Sequence, residues 1–164
     1  MRVYSIDEKY EDRFIKRLNY NYRLIYSVGC CTGLRISDIV TLKKDILNKR
    51  EPTIREQKTG KSKRIYIPQK LKKELLEFSQ YHKEYIFEST SKSGHITRQA
   101  VHKHFKKIAK EIRAQENIGT HSMRKKYALK QFNKGKSYNY IKNKLNHDHL
   151  NDTLIYLMEG EKNV

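Results

Sequence analysis

Two groups of polar residues in this 164-residue chain have a spacing that chemistry can use. His121-Ser-Met-Arg124 sets an imidazole and a guanidinium three residues apart, which on a helix puts both on one face, directed at one ligand. A phosphate suits both groups. The second is the run LNHDHLNDTLIY, in which His147 stands nine residues before Tyr156, across an Asn146-His147 break that lets one helix turn back toward another. Taken singly these residues are ordinary. An arginine in a basic chain is usually a solvated charge, and a tyrosine on an apolar helix usually belongs to the core.

The elements that must position them follow from periodicity. Phe14, Leu18, Tyr22, Leu24, Ile25 and Val28 predict one long helix from about Glu11 to Cys31, stopped at Thr32-Gly33. LRISDIVTLKKDIL predicts a short second helix with Ser37 as cap and Arg35 at the junction. In TIREQKTGKSKRIYIP the period changes: Ile65 and Ile67 alternate with polar residues, and Lys58-Thr59-Gly60-Lys61 suits a hairpin turn. Helix returns from Pro68 through Leu71, Leu75, Leu76 and Phe78. Thr97 caps a helix that buries Val101, Phe105, Ile108 and Ile112. Gly119-Thr120 opens HSMRKKYALKQF, which Gly135 closes; Ser137 caps YNYIKNKL, and Asn151 caps DTLIYLM. The expected fold class is α+β, mainly α, with one small β-hairpin, in a single domain over residues 1–164.

Lys and Arg number 36 against 18 Asp and Glu, a formal net charge of +18 spread along the whole chain. That balance favours a polyanionic partner, with nucleic acid the first candidate, while regularly spaced apolar residues argue against disorder. No run approaches the roughly 18 apolar residues of a membrane helix, and the N-terminus has no apolar signal core, so a cytoplasmic protein without a membrane partner is expected. Cys30 and Cys31 are adjacent, which suits neither a disulfide framework nor a zinc site, so both read as reduced packing residues.

In order, TGLRISDIV, QKTGKSKRIYIP, HSMR and LNHDHLNDTLIY resemble the catalytic domain of the tyrosine recombinases, the phage integrase family, over nearly the whole chain. The resemblance implies six catalytic residues: Arg35, Lys58, His121, Arg124, His147 and the nucleophile Tyr156. Lys61 is the rival to Lys58, and His149 to His147, but Lys58 and His147 hold the matching register. Lys61, Lys63 and Arg64 read as solvated or DNA-contacting groups. His82, His95, His102 and His104 read as surface or packing residues. Asn146 replaces the family's usual Gly, a change that asparagine's tolerance of left-handed backbone accommodates.

The implied activity is site-specific DNA recombination through a 3′-phosphotyrosine intermediate, with Arg35 and Arg124 on the nonbridging oxygens, His121 as general base, His147 on a phosphate oxygen and Lys58 protonating the 5′ oxygen. No cofactor or metal is expected. The implied partner is duplex DNA, bound by a protein that is monomeric when free and joins a tetrameric synapse on DNA. The family's N-terminal core-binding domain is expected to be absent. The alternatives are type IB topoisomerase-like relaxation and a noncatalytic regulatory DNA-binding module of the same fold.

Overall fold

The computed structural model describes residues 8–114 and 118–161, and for residues 8, 9, 156 and 158–161 the backbone alone. Helices α1 (Glu8–Arg17), α2 (Tyr20–Thr32) and α3 (Ile36–Val40) lead through a 3-10 turn at Lys44–Asn48 to strands β1 (Thr53–Arg55) and β2 (Ser62–Arg64). Then come α4 (Gln69–Phe78), α5 (Arg98–Glu111), α6 (Thr120–Asn133), α7 (Tyr138–Leu145) and α8 (Leu150–Glu161). The mainly helical architecture with one antiparallel hairpin matches the two periodicities in the sequence.

The helix expected over Glu11–Cys31 is two helices. Leu18 is buried and keeps the apolar stripe, but Asn19, with ψ 154°, leaves the helical region and starts α2 in a new direction. Asparagine competes with the main-chain ladder without interrupting the hydrophobic pattern, so periodicity alone runs through the break. Ser37 lies inside α3, whose N-cap is Arg35. Asn151 is the second residue of α8, not its cap. Leu76, expected inward, is exposed, and Leu75 alone of that pair is buried. Thr97 and Ser137 do cap: Thr97 Oγ1 accepts from Ala100 N at 3.1 Å, and Ser137 Oγ from Tyr140 N at 3.2 Å.

The main core gathers Phe14, Tyr26 and Phe105, whose ring centroids stand 5.4 to 6.1 Å apart, with the aliphatic faces of α2, α3 and α5. Helix α2 crosses α6 closely at Gly29, where a Cβ would fall 2.6 Å from Met123 Sδ. A smaller cluster of Tyr127, Ala128, Ile141, Leu145 and Leu157 seats α7 and α8 on α6. In the hairpin Ile54 pairs with Lys63, so the two-residue period puts Ile54, Glu56, Lys63, Ile65 and Ile67 on the inward face and leaves Tyr66 exposed. Cys30 and Cys31 are free, and burial pushes both thiols up to about 12, so they stay protonated at neutral pH. No described helix is long and apolar enough to cross a membrane.

Candidate active site

The site begins where α2 stops. Gly33 has φ 64°, and a Cβ there would lie 2.5 Å from the Tyr127 ring, so only glycine closes this helix without strain. Its carbonyl accepts from Arg124 Nη1 at 2.5 Å and from Lys63 Nζ at 3.4 Å. Arg124 Nη2 donates to the carbonyl of Leu145 at 2.9 Å, where α7 ends. Arg124 is only 3% exposed, and its guanidinium is therefore fixed at the negative ends of two helices.

Arg35 stands at the start of α3, and its Nη1 lies 2.6 Å from Oε2 of Glu56, whose side chain is fully buried. Thr59 donates to the same oxygen at 3.0 Å. Burial pushes the Glu56 carboxyl up, but the Asn146 amide, Arg35, Thr59 and Lys63 together hold it below the usual range. Asp38, also buried, accepts from the Gln57 main-chain N–H at 2.9 Å, and burial raises its pKa. These two carboxylates offset part of the positive charge behind the site.

A cavity of about 360 Å³ opens in front, lined among others by Arg35, Gln57, Lys58, Arg98, His121 and Arg124. Lys58 reaches it from the exposed hairpin turn, which Gly60 N closes by donating to the Glu56 carbonyl at 2.9 Å. His121 is exposed at the mouth, yet partial desolvation, followed by Arg124, Arg35, Lys125 and Lys58, lowers its pKa. The lowering favours the neutral imidazole, the form able to take a proton. His147 follows Asn146, which closes α7 with φ 50°, the left-handed conformation expected of it. The Nδ1 of His147 is 2.9 Å from the buried Thr153 Oγ1 in α8, and burial with Arg124 and Arg35 nearby lowers its pKa to about 4.

The fold thus collects Arg35, Lys58, His121 and Arg124 around one cavity, with His147 close enough to respond to both arginines. Tyr156 falls within α8, and its side chain lies outside the described residues. Lys61 and Arg64 are exposed; Lys61 pairs with Asp148 at 2.8 Å and Arg64 with Glu51 at 3.7 Å. Lys63 departs from the expectation of a solvated group. It is 5% exposed, 5.8 Å from the Tyr127 ring centroid, and desolvation followed by Arg124 lowers its pKa to about 7. Its position opposite Ile54, in phase with Ile65 and Ile67, turns it inward. Sequence reasoning gave no role to Glu56 or Arg98, and took Thr153 only as part of the Thr-x-x-Tyr run before Tyr156, not as the partner of His147. Glu56 had the same signal as Lys63, being two residues from Ile54; Arg98 had none beyond its helix. His104 stacks on Tyr22 at 4.0 Å, and His82 and His95 bond main-chain carbonyls, in keeping with packing roles.

Residues 5–162 match the Phage integrase family. The chain belongs to this family. It is 32% identical over 145 residues to the probable integrase/recombinase YoeC of Bacillus subtilis, covering 85% of this chain and 80% of that protein. Among solved structures, the XerA recombinase superposes with a TM-score of 0.76 at 20% identity over 95% of this chain. The catalytic domain of bacteriophage HP1 integrase superposes with a TM-score of 0.70 at 19% identity, over 99% of this chain and 91% of that domain. The chain spans 58% of the XerA structure and 60% of a Tn1549 transposon integrase structure, about three fifths of each.

Proposed function

We propose that this phage integrase family domain is a site-specific recombinase that cuts and rejoins duplex DNA through a 3′-phosphotyrosine bond to Tyr156. The observation that carries the reading is the cavity in which Arg35, Lys58, Arg98, Arg124 and His121 converge, a binding site for a backbone phosphate. A phenol with a pKa near 10 is about one part in a thousand ionised at pH 7, so forming tyrosinate costs about 4 kcal/mol. His121, its neutral form favoured, accepts that proton. Arg35 and Arg124 hold the nonbridging oxygens, and their fixed guanidinium donors offset the charge that builds on phosphorus in the transition state. Arg124 needs little reorganisation, because the Gly33 and Leu145 carbonyls already set its plane.

As the Tyr156 oxygen bonds to phosphorus, the bond to the 5′ oxygen breaks, and Lys58 protonates that oxygen to a hydroxyl. Neutral His147, oriented by Thr153, hydrogen-bonds a phosphate oxygen. Attack by another strand's 5′-hydroxyl reverses the steps and restores the phosphodiester, so the bond energy is kept throughout. Lys61 and Arg64 contact the flanking backbone from the exposed strand face. Exchange of four strands calls for two pairs of protomers on DNA, a tetrameric synapse assembled from monomers.

The test is strand transfer on a two-site substrate beside relaxation of a supercoiled plasmid, each with excess chelator. Recombinant joints should form, and covalent complexes should persist in chelator because arginines neutralise the phosphate. Relaxation without any joint would instead identify a topoisomerase, and binding without either would identify a noncatalytic module.

A further inference from the structure

The proposed reaction assigns no task to Glu56, although this carboxylate bonds both Arg35 and Thr59 behind the cavity. Its side chain is fully buried, a costly place for an isolated charge. Oε2 receives Arg35 Nη1 at 2.6 Å and Thr59 Oγ1 at 3.0 Å. Its main chain closes the turn that carries Lys58: Glu56 N donates to the Lys61 carbonyl at 3.0 Å, and Gly60 N to the Glu56 carbonyl at 2.9 Å. Oε1 and Asn146 Nδ2 are each buried without a well-formed hydrogen bond, yet the Asn146 amide acts on this carboxyl, so the two groups are neighbours. One buried side chain therefore bonds the first arginine and the turn of Lys58, and lies near the residue before His147.

We propose that Glu56 is a positioning residue for strand cleavage, a buried carboxylate that holds Arg35 and the Lys58 turn in register with the Asn146-His147 loop. Arginine side chains are long, and Arg35 has no backbone clamp like that of Arg124 among the described hydrogen bonds. Without the carboxylate, the guanidinium must be ordered by the DNA phosphate itself during the reaction, and charge repulsion from Arg124 and Lys63 turns it outward. The negative charge of the carboxylate also weakens the cavity's attraction for phosphate. Its loss should therefore slow chemistry without weakening binding, whereas loss of a purely structural group weakens both.

This proposal rests on the recombinase reading, and the test separates the two. Wild-type protein and Glu56→Gln, nearly equal in size, are compared for noncovalent affinity to a duplex and for single-turnover cleavage of a nicked suicide duplex at saturating DNA. The cleavage rate of Glu56→Gln should fall roughly 10- to 100-fold, as small misplacements of reacting groups do, with affinity unchanged or tighter. Glu56→Asp, charged but one methylene shorter, should recover part of the rate. Cleavage within about twofold of wild type overturns the proposal, as does an affinity that falls in step with the rate. If Glu56→Gln does not fold, Thr59→Val decides: removing this surface-turn hydroxyl should slow cleavage with affinity intact, and a wild-type rate overturns the proposal. A wild-type protein that forms no covalent complex sinks the recombinase reading itself.

Discussion

Arg124 is held from behind by carbonyls at the ends of two helices, so its plane is set before any phosphate arrives. Gly33 makes that possible. Gly33→Ala combines a left-handed backbone with a Cβ 2.5 Å from the Tyr127 ring, and should lower stability by at least about 2 kcal/mol in denaturant unfolding. A smaller change would mean that the ring moves aside freely. His147 supplies a pH test. Unfolded histidine titrates near 6.5, while the folded residue titrates near about 4. Above about pH 6.5 both forms are neutral and the stabilising contribution is complete; as pH falls from there toward 4 the unfolded chain binds the proton first and stability declines. Thermal melts from pH 7 to pH 5 should show a steeper loss for wild type than for His147→Gln, and parallel losses would contradict the assignment. At this scale the grouping of Arg35, Lys58, His121 and Arg124 at one cavity was legible in the sequence, because each has a motif around it. Glu56 and Lys63 were not, because a charged residue near a turn is normally solvated; only their phase with Ile54, Ile65 and Ile67 marks them as inward.

The elements act as brackets for these residues. Helix α6 carries His121 and Arg124 and packs against α2, whose end supplies Gly33, while α7 and α8 rest on the other side of α6. Phe105 fixes α5 against α1 and α2 through edge contacts with Phe14 and Tyr26. Phe105→Ala should therefore cost about 3–5 kcal/mol, measured by chemical denaturation. A loss under about 1 kcal/mol would show that the aromatic cluster collapses around the gap. Helix type and most caps were readable from apolar period and from Thr97 and Ser137. The direction change at Asn19 was not, since the stripe from Phe14 to Val28 continues across it; helix starts at Ile36 and Leu150 were shifted by a residue or two because polar residues crowd both junctions.

For the whole molecule, a net charge of +18 makes DNA affinity fall steeply with salt through counterion release, and a salt-independent affinity would contradict a phosphate-reading surface. Burial and neighbouring cations lower the pKa values of Lys63, His121 and His147 together. A phosphate in the cavity reverses the cationic part of that shift, so DNA binding near pH 7 should take up protons. Calorimetry in two buffers of different ionisation enthalpy should give different apparent heats; equal heats would exclude uptake. The charge was plain from composition, whereas its concentration around buried Lys63 depends on the hairpin register that turns this side chain inward, toward the Tyr127 ring. The proposed reaction joins Tyr156 to DNA. The direct measurement is peptide mapping of the covalent complex on a nicked suicide duplex, with Tyr156→Phe in parallel. The adduct should map to the peptide containing Tyr156 and vanish in Tyr156→Phe while noncovalent binding persists. An adduct on another tyrosine such as Tyr138 or Tyr140, or one that survives in Tyr156→Phe, would contradict it.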